Sequence, residues 1–154
     1  MADVMGAGLG RRLGALLYDS VLVVALWLIV TIVHLAFFRL VLGQPVEAVG
    51  VSALSVWSLR ALLLVSVTFF FCFFWSRSGM TLGMQAWHLR VQTPNGQRIT
   101  LKQGFVRCAT AWLSLAALGM GYGWVFVDKQ RRSWPDIASH TCTVVVPKRQ
   151  DKKH

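Results

Sequence analysis

An aspartate lies inside the first long apolar stretch of the chain, residues 13–38. As a helix this stretch would rise about 39 Å, which exceeds the ~30 Å hydrocarbon core of a bilayer. A charge within such a span costs ~2.5–3.5 kcal/mol at the helix centre and less near an end. A carboxylate in this position can bind and release a proton or a small cation, so Asp19 is the first candidate site residue.

Arg12 lies on the same helical face as Asp19, because seven residues correspond to a rotation within about 20° of two full turns. The two side chains are separated by about 10 Å along the axis, which is too far for a direct ion pair. Water, or a cation from another part of the chain, is therefore expected to reach the face that carries Asp19.

Further charged residues are expected at the cytoplasmic edge of the membrane, namely Arg107, Asp128, Arg132 and Asp136. We expect a polar cluster of these groups with Arg12 and Asp19 in one leaflet. The cluster could have a structural role, in which charge-assisted hydrogen bonds tie the first span to later segments. It could instead form a proton or cation site at Asp19, tuned by Arg12 or Arg107.

The composition is that of a small membrane protein, with 55% hydrophobic and 14% charged residues and a mean hydropathy of +0.55. The net charge of +10 comes from cations that flank the apolar stretches, as in the cytoplasmic flanks of membrane proteins. No nucleic-acid-binding signature accompanies these cations, so nucleic acid is not an expected partner. Three cysteines without a CxxC pair predict neither a disulfide framework nor a zinc site.

A second span is predicted over residues 53–75, after a loop that carries few cations and is therefore assigned to the outside. Trp57 and Trp75 would lie about 27 Å apart along the helix, which suits the two aromatic belts of a bilayer. Arg60 then lies one turn inside the outer belt. It either extends to the surface or pairs with a carboxylate in a polar cavity.

Residues 76–103 contain cations and no acid, so they are predicted to form a cytoplasmic loop. Alternating residues 88–92, an Asn-Gly turn and alternating residues 97–101 predict a small β-hairpin within it. The β-branched run 141–146 is a candidate strand that joins this hairpin.

The third apolar stretch, residues 109–127, is interrupted by Gly119, Gly121 and Gly123. As a span it would carry the strongly basic tail, residues 128–154, to the outside against the positive-inside rule. The glycines permit a re-entrant fold with both ends in the cytoplasm, provided that protein or water covers its backbone. We favour the re-entrant form over a glycine-kinked third span.

The tail begins with a predicted short interfacial helix within residues 129–140, with Ser133 as its cap, Trp134 at headgroup level and Pro135 in its first turn. The last basic residues are expected to bind anionic lipid headgroups. They are Lys148, Arg149, Lys152 and Lys153.

Four motifs, in this order and spacing, resemble the RDD family of small bacterial membrane proteins. They are RRLGALLYD (residues 11–19), SGMTLGM (78–84), LRV (89–91) and RRSWPDIASHT (131–141). By this resemblance the family arginine is Arg12 and the two aspartates are Asp19 and Asp136. Pro135 stands where glycine or histidine is more usual, and the frequent small residue near His140 is also changed.

The apolar stretches, loops and length described above predict a single-domain α-helical integral membrane protein with two long transmembrane helices, a re-entrant or third membrane segment and a small cytoplasmic β-hairpin. The resemblance to small bacterial membrane proteins places it in the bacterial inner membrane. Close packing is expected at its glycines, Gly79, Gly83, Gly119, Gly121 and Gly123. Members are described as transporters, and some are linked to sodium–proton exchange.

Two functions are therefore expected. One is a homo-oligomeric transporter of a small cation or of protons, because two spans and a re-entrant segment are too few to enclose a path alone. The other is a non-catalytic scaffold or accessory subunit that docks a cytoplasmic partner or anionic lipid. No enzyme is expected, since the chain has no nucleophile elbow, HExxH or Walker loop. No ligand set for a metal or cofactor is present either.

Overall fold

The structure is a computed structural model that describes residues 6–146, apart from the side chains of Val46 and Val49. The predicted lipid-binding residues of the tail, from Lys148 onward, lie outside the described residues. The helices are α1 (Leu9–Leu40), α2 (Val46–Val49), α3 (Ala53–Arg77), α4 (Leu82–Ala86), α5 (Leu101–Ala116), α6 (Met120–Gly123) and α7 (Trp134–Ala138). A 3₁₀ turn, Trp124–Phe126, follows α6, and the strands are β1 (Leu89–Gln92) and β2 (Cys142–Val145).

Two helices, α1 and α3, are long and apolar enough to cross a membrane, with mean hydropathies of 2.8 and 2.0 over their most apolar windows. The two helices predicted as spans are thus present. Both helices extend beyond the apolar stretches predicted as spans, because no proline or turn residue stops the backbone hydrogen bonding at their polar ends.

The chain divides into two compact units. The hairpin unit consists of residues 20–70, which include most of α1 and α3 and the short connection between them. The sheet unit consists of the described residues before Ser20 and after Phe70, and it contains α4 to α7 and both strands. Its apolar core gathers Ala7, Ala15, Cys72, Trp75, Met84, Leu89, Val91, Ile99 and Cys108.

The two strands form an antiparallel sheet in which Leu89 faces Val145 and Gln92 faces Cys142. Between the strands the chain bends sharply, since α5 and the α6 segment meet at 107° around a left-handed turn at Leu118 and Gly119. Because β1 precedes α5 and β2 follows α7, strand pairing brings both ends of the intervening segment together. This geometry favours the re-entrant form, since a third span would separate the ends by ~30 Å.

The predicted small antiparallel sheet is present, but its second strand is β2 and not residues 97–101. That expected strand is wrong, because Thr100 caps α5 in a reciprocal capping box with Gln103. The turn itself forms, with the Thr93 amide donating to the Gln97 carbonyl at 3.0 Å. As a result α5, the helix that leads into the third apolar stretch, begins at Leu101, before residue 109.

The short helix of the tail is confirmed as α7. Ser133 is its N-cap, Pro135 lies in its first turn, and Asp136 completes a capping box by accepting from the Ser133 amide at 3.0 Å.

Three of the five glycines predicted to pack closely do so. A Cβ at Gly83 would lie 2.2 Å from the Ala15 carbonyl oxygen, and one at Gly121 would lie 2.5 Å from the Ser114 hydroxyl. A Cβ at Gly79 would lie 2.8 Å from the Val91 carbonyl oxygen.

The other two, Gly119 and Gly123, have no neighbour within 4 Å of that position among the described residues. Gly119 instead supplies the turn, with φ 80°.

The re-entrant form can be tested by cysteine accessibility in sealed vesicles, in a background that lacks Cys72, Cys108 and Cys142. Single cysteines at the exposed positions Arg98 and Lys129 flank the bent segment. We expect an impermeant maleimide to label both only in inside-out vesicles. Glu47→Cys is the matched control and should react only in right-side-out vesicles. Labelling of Lys129→Cys from the same side as Glu47→Cys would establish a third span.

Candidate functional site

The centre of the sheet unit is the carboxylate of Asp136, which is completely buried. Arg12 Nη1 lies 2.6 Å from Asp136 Oδ2, and Arg107 Nη1 lies 2.7 Å from Asp136 Oδ1. Both arginine side chains are only 6% exposed. The three groups form a buried ionic triad that joins the first turn of α1, the middle of α5 and the first turn of α7.

Neutral groups also donate hydrogen bonds to the Asp136 carboxylate. The hydroxyls of Ser133 and Thr143 donate to it at 3.0 and 2.9 Å. Burial favours a raised pKa for Asp136, but the guanidinium groups of Arg107 and Arg12, together with the Ser133 amide, hold that pKa well below its usual range. Asp136 is therefore ionised at neutral pH and does not exchange protons there.

The two arginines are held by further contacts. Arg12 donates from Nε to the Ala7 carbonyl at 2.9 Å and from Nη2 to the Arg131 carbonyl at 3.0 Å. Arg107 donates to the hydroxyls of Thr141 and Thr143, and its guanidinium carbon lies 5.0 Å from the centre of the Trp75 ring. Both guanidinium planes are thereby fixed around one carboxylate.

Asp19 has a different environment, although it is also buried, with 1% exposure. The Thr81 hydroxyl donates to Asp19 Oδ2, and the Gly83 amide donates to Oδ1 at 2.8 Å. Thr81 is the N-cap of α4, so Asp19 and Thr81 together satisfy the amides at the start of that helix. Asp19 makes no salt bridge within residues 6–146.

A cavity of about 50 Å³ is lined by Asp19 and by the two arginines that hold Asp136. Asp19, Arg12 and Arg107 line it on its polar side, and Phe71, Trp75, Tyr122 and other apolar side chains line the rest. A volume of this size is large enough for water. When Asp19 is ionised, the net formal charge of the two arginines and two aspartates is zero. When Asp19 is protonated, the four groups have one net positive charge.

The remaining predicted site residues lie outside this arrangement. Asp128 pairs with Arg132 at 3.1 Å near the surface, and the hydrogen bond from Arg132 lowers the pKa of Asp128. Arg60 belongs to the hairpin unit, where it is exposed and lies 5.0 Å above the Trp57 ring. In the described residues no group of three or more His, Cys, Asp or Glu side chains could hold a metal ion.

The family arginine Arg12 is thus in direct contact with the second aspartate, Asp136, and it lines one cavity together with the first aspartate, Asp19. A model of the RDD family matches residues 6–140 of the chain, which is most of its length. The chain belongs to the RDD family. No curated protein and no solved structure gives a significant match.

Several groups that contact Asp19, Arg107 or Asp136 were not identified from the sequence. They are the Thr81 hydroxyl, the Gly83 amide, the hydroxyls of Thr141 and Thr143, and the Trp75 ring. Thr81 had a usable signal, because a threonine directly before a short helix is an N-cap candidate. The two strand threonines had none, since their role depends on which strand pairs with β1.

Removing the central carboxylate should strongly destabilise the protein. We expect Asp136→Asn to lower the free energy of unfolding by about 3–5 kcal/mol, because two buried guanidinium groups lose their counter-charge. Asp128→Asn removes a carboxylate whose ion pair lies near the surface and should change the free energy by less than about 1 kcal/mol. Unfolding by SDS in mixed micelles measures both, and equal effects would contradict a central role for the triad.

The same variant gives a pH test. A pKa below the ordinary value of 3.8 means that the stabilisation by Asp136 is fully present above that value and is lost as the pH falls through the folded pKa. The stability difference between wild type and Asp136→Asn should stay constant from about pH 8 to about pH 5 and shrink only below about pH 4. A decrease near neutral pH would contradict the assigned ionisation.

The contact between α4 and α1 should not tolerate a methyl group at Gly83. We expect Gly83→Ala to destabilise the protein by about 1–3 kcal/mol, because the new Cβ collides with the Ala15 carbonyl and displaces Asp19. Gly10→Ala is the control, since nothing lies within 4 Å of that position and alanine favours helix. Thermal unfolding in detergent micelles should show a lower midpoint for Gly83→Ala alone.

Proposed function

We propose that this RDD protein is a proton-linked transport protein in which Asp19 binds and releases the transported or coupling proton. The observation that carries the proposal is the contrast between the two buried aspartates. Asp136 is held by two arginines and stays ionised, whereas Asp19 has only neutral donors and lines a cavity large enough for water. A carboxylate of this kind can change its protonation state without leaving an arginine unpaired.

A proton fits the site better than a metal cation does. Sodium and other hard cations need about six oxygen ligands, and the cavity lining offers few side-chain oxygens besides Asp19, Tyr122 and Thr143. Arg12 and Arg107 line the same cavity and repel a metal ion. A proton needs only the carboxylate and a water to deliver it.

Proton binding at Asp19 has a mechanical consequence for α4. The ionised carboxylate accepts from Thr81 and from the Gly83 amide, and both bonds weaken when the carboxylate is neutralised. The start of α4 is then held less firmly against α1. A change of protonation is thereby linked to the contact between two elements, which is what a transport cycle requires.

A scaffold role is the second candidate, and the ionic triad favours it. The triad connects the beginning of α1 to α5 and α7. In this role Arg12, Arg107 and Asp136 serve only to stabilise the fold. Under this alternative Asp19 serves only as a cap for α4, and the protein presents its cytoplasmic surface to a partner or to anionic lipid.

Proton flux into liposomes that contain the purified protein separates the two functions. With a potassium diffusion potential as driving force, we expect Asp19→Asn to reduce flux at least about tenfold while the protein stays folded, because the group that takes up the proton is gone. Glu47→Gln removes an exposed carboxylate and should leave the flux unchanged. Loss of folded Asp19→Asn protein, without a loss of flux per folded molecule, would favour the scaffold.

A further inference from the structure

The cavity beside Asp19 is lined by more positive than negative side chains. Arg12 and Arg107 line it, and among the described lining residues Asp19 is the one carboxylate. Asp136 compensates one of the two arginine charges, so the triad keeps one net positive charge. An ionised Asp19 cancels that charge, but a protonated Asp19 does not. Because an uncompensated buried charge is costly, a monovalent anion in the cavity stabilises the protonated state.

Arg107 has a hydrogen-bond donor for such an anion. Its Nη1 donates to Asp136 and Thr141, and its Nη2 donates to Thr143. Its Nε is buried and has no acceptor within residues 6–146. The side chain is only 6% exposed, so bulk water does not satisfy this N–H group. A buried guanidinium donor without an acceptor is costly, and an anion in the adjoining cavity removes that cost.

The size and the lining of the cavity restrict the kind of anion. The cavity is large enough for water, and a halide ion is only slightly larger than a water molecule. The apolar side chains of Phe71, Trp75 and Met84 form part of its wall, which suits a weakly hydrated ion such as chloride. Sulfate and hydrogen phosphate are larger, and they carry two negative charges where the triad leaves one positive charge.

We propose that this cavity binds one small monovalent anion of halide size when Asp19 is protonated, with Arg107 Nε as a donor to the anion. Because the anion enters only after Asp19 has taken up a proton, this site rests on the proposed function. An ionised Asp19 repels the anion across the cavity, whereas a protonated Asp19 does not. The coupling is reciprocal, so the bound anion also promotes proton uptake by Asp19.

The other charged and titratable groups around the cavity are compatible with this coupling. Asp136 on α7 is ionised and is held between Arg12 and Arg107, so it does not change its charge near neutral pH. Tyr122 on α6 also lines the cavity, and a phenol is uncharged well below about pH 10. The pH dependence of anion binding therefore reports the protonation of Asp19.

Binding of ³⁶Cl-labelled chloride to the full chain in lipid nanodiscs tests the proposal. A sodium gluconate background screens the surface cations, and gluconate is too large for the cavity. We expect one bound chloride per chain at about pH 5.5, with an apparent affinity at least about tenfold lower at about pH 8.5. Absence of binding to folded protein at about pH 5.5, or equal affinity at both pH values, would overturn the proposal.

Asp19→Asn gives the second measurement, because its uncharged side chain imitates the protonated carboxyl group. We expect this variant to bind chloride with the same affinity at both pH values. Glu47→Gln is the matched control and should keep the pH dependence of the wild type, since Glu47 is exposed. If folded Asp19→Asn keeps that pH dependence, Asp19 is not the coupled group.

Arg107→Lys tests the donor, because it removes Nε and keeps a positive charge. We expect the apparent affinity for chloride at about pH 5.5 to fall at least about tenfold. Arg132→Lys should leave the affinity unchanged, since Arg132 pairs with Asp128 near the surface. Unchanged chloride binding in folded Arg107→Lys would contradict the assignment of Nε.

The anion site and the proposed function fail in different ways. Asp19-dependent proton flux without chloride binding would overturn the anion site and leave the transport function standing. Chloride binding with the expected dependence on Asp19, but without proton flux, would overturn the transport function and support the anion site.

Discussion

A buried carboxylate requires a compensating charge, and the sheet unit is arranged around this requirement. Asp136 is completely buried, which would cost several kcal/mol for an unpaired ion. Two guanidinium groups and several hydroxyl donors remove this cost only if α1, α5, α7 and β2 meet at one point. The position of each of these elements is thus constrained by the same carboxylate. Strand pairing between β1 and β2 adds the constraint that the two ends of the bent segment between them lie close together.

The two family aspartates have opposite chemical characters because their neighbours differ. Asp136 accepts from two fixed cations and remains ionised near neutral pH. Asp19 accepts from a hydroxyl and a backbone amide at the start of α4, and it lines a cavity large enough for water. The triad alone has an excess positive charge, and an ionised Asp19 balances it. The net charge of the four groups therefore depends on the protonation state of Asp19.

The amino-acid sequence by itself determined the class of protein, the two spans, the helix capped by Ser133 and the identity of Arg12, Asp19 and Asp136 as the family residues. These features depend on hydropathy, helix length and local capping, which act over a few neighbouring residues. Only the tertiary structure decided that β2 rather than residues 97–101 pairs with β1, that Arg107 shares Asp136 with Arg12, and that Asp19 bonds Thr81 instead. Each of these contacts joins residues far apart in the chain, and many pairings satisfy the local patterns equally well. Burial of charge and strand hydrogen bonding select among them once the segments pack.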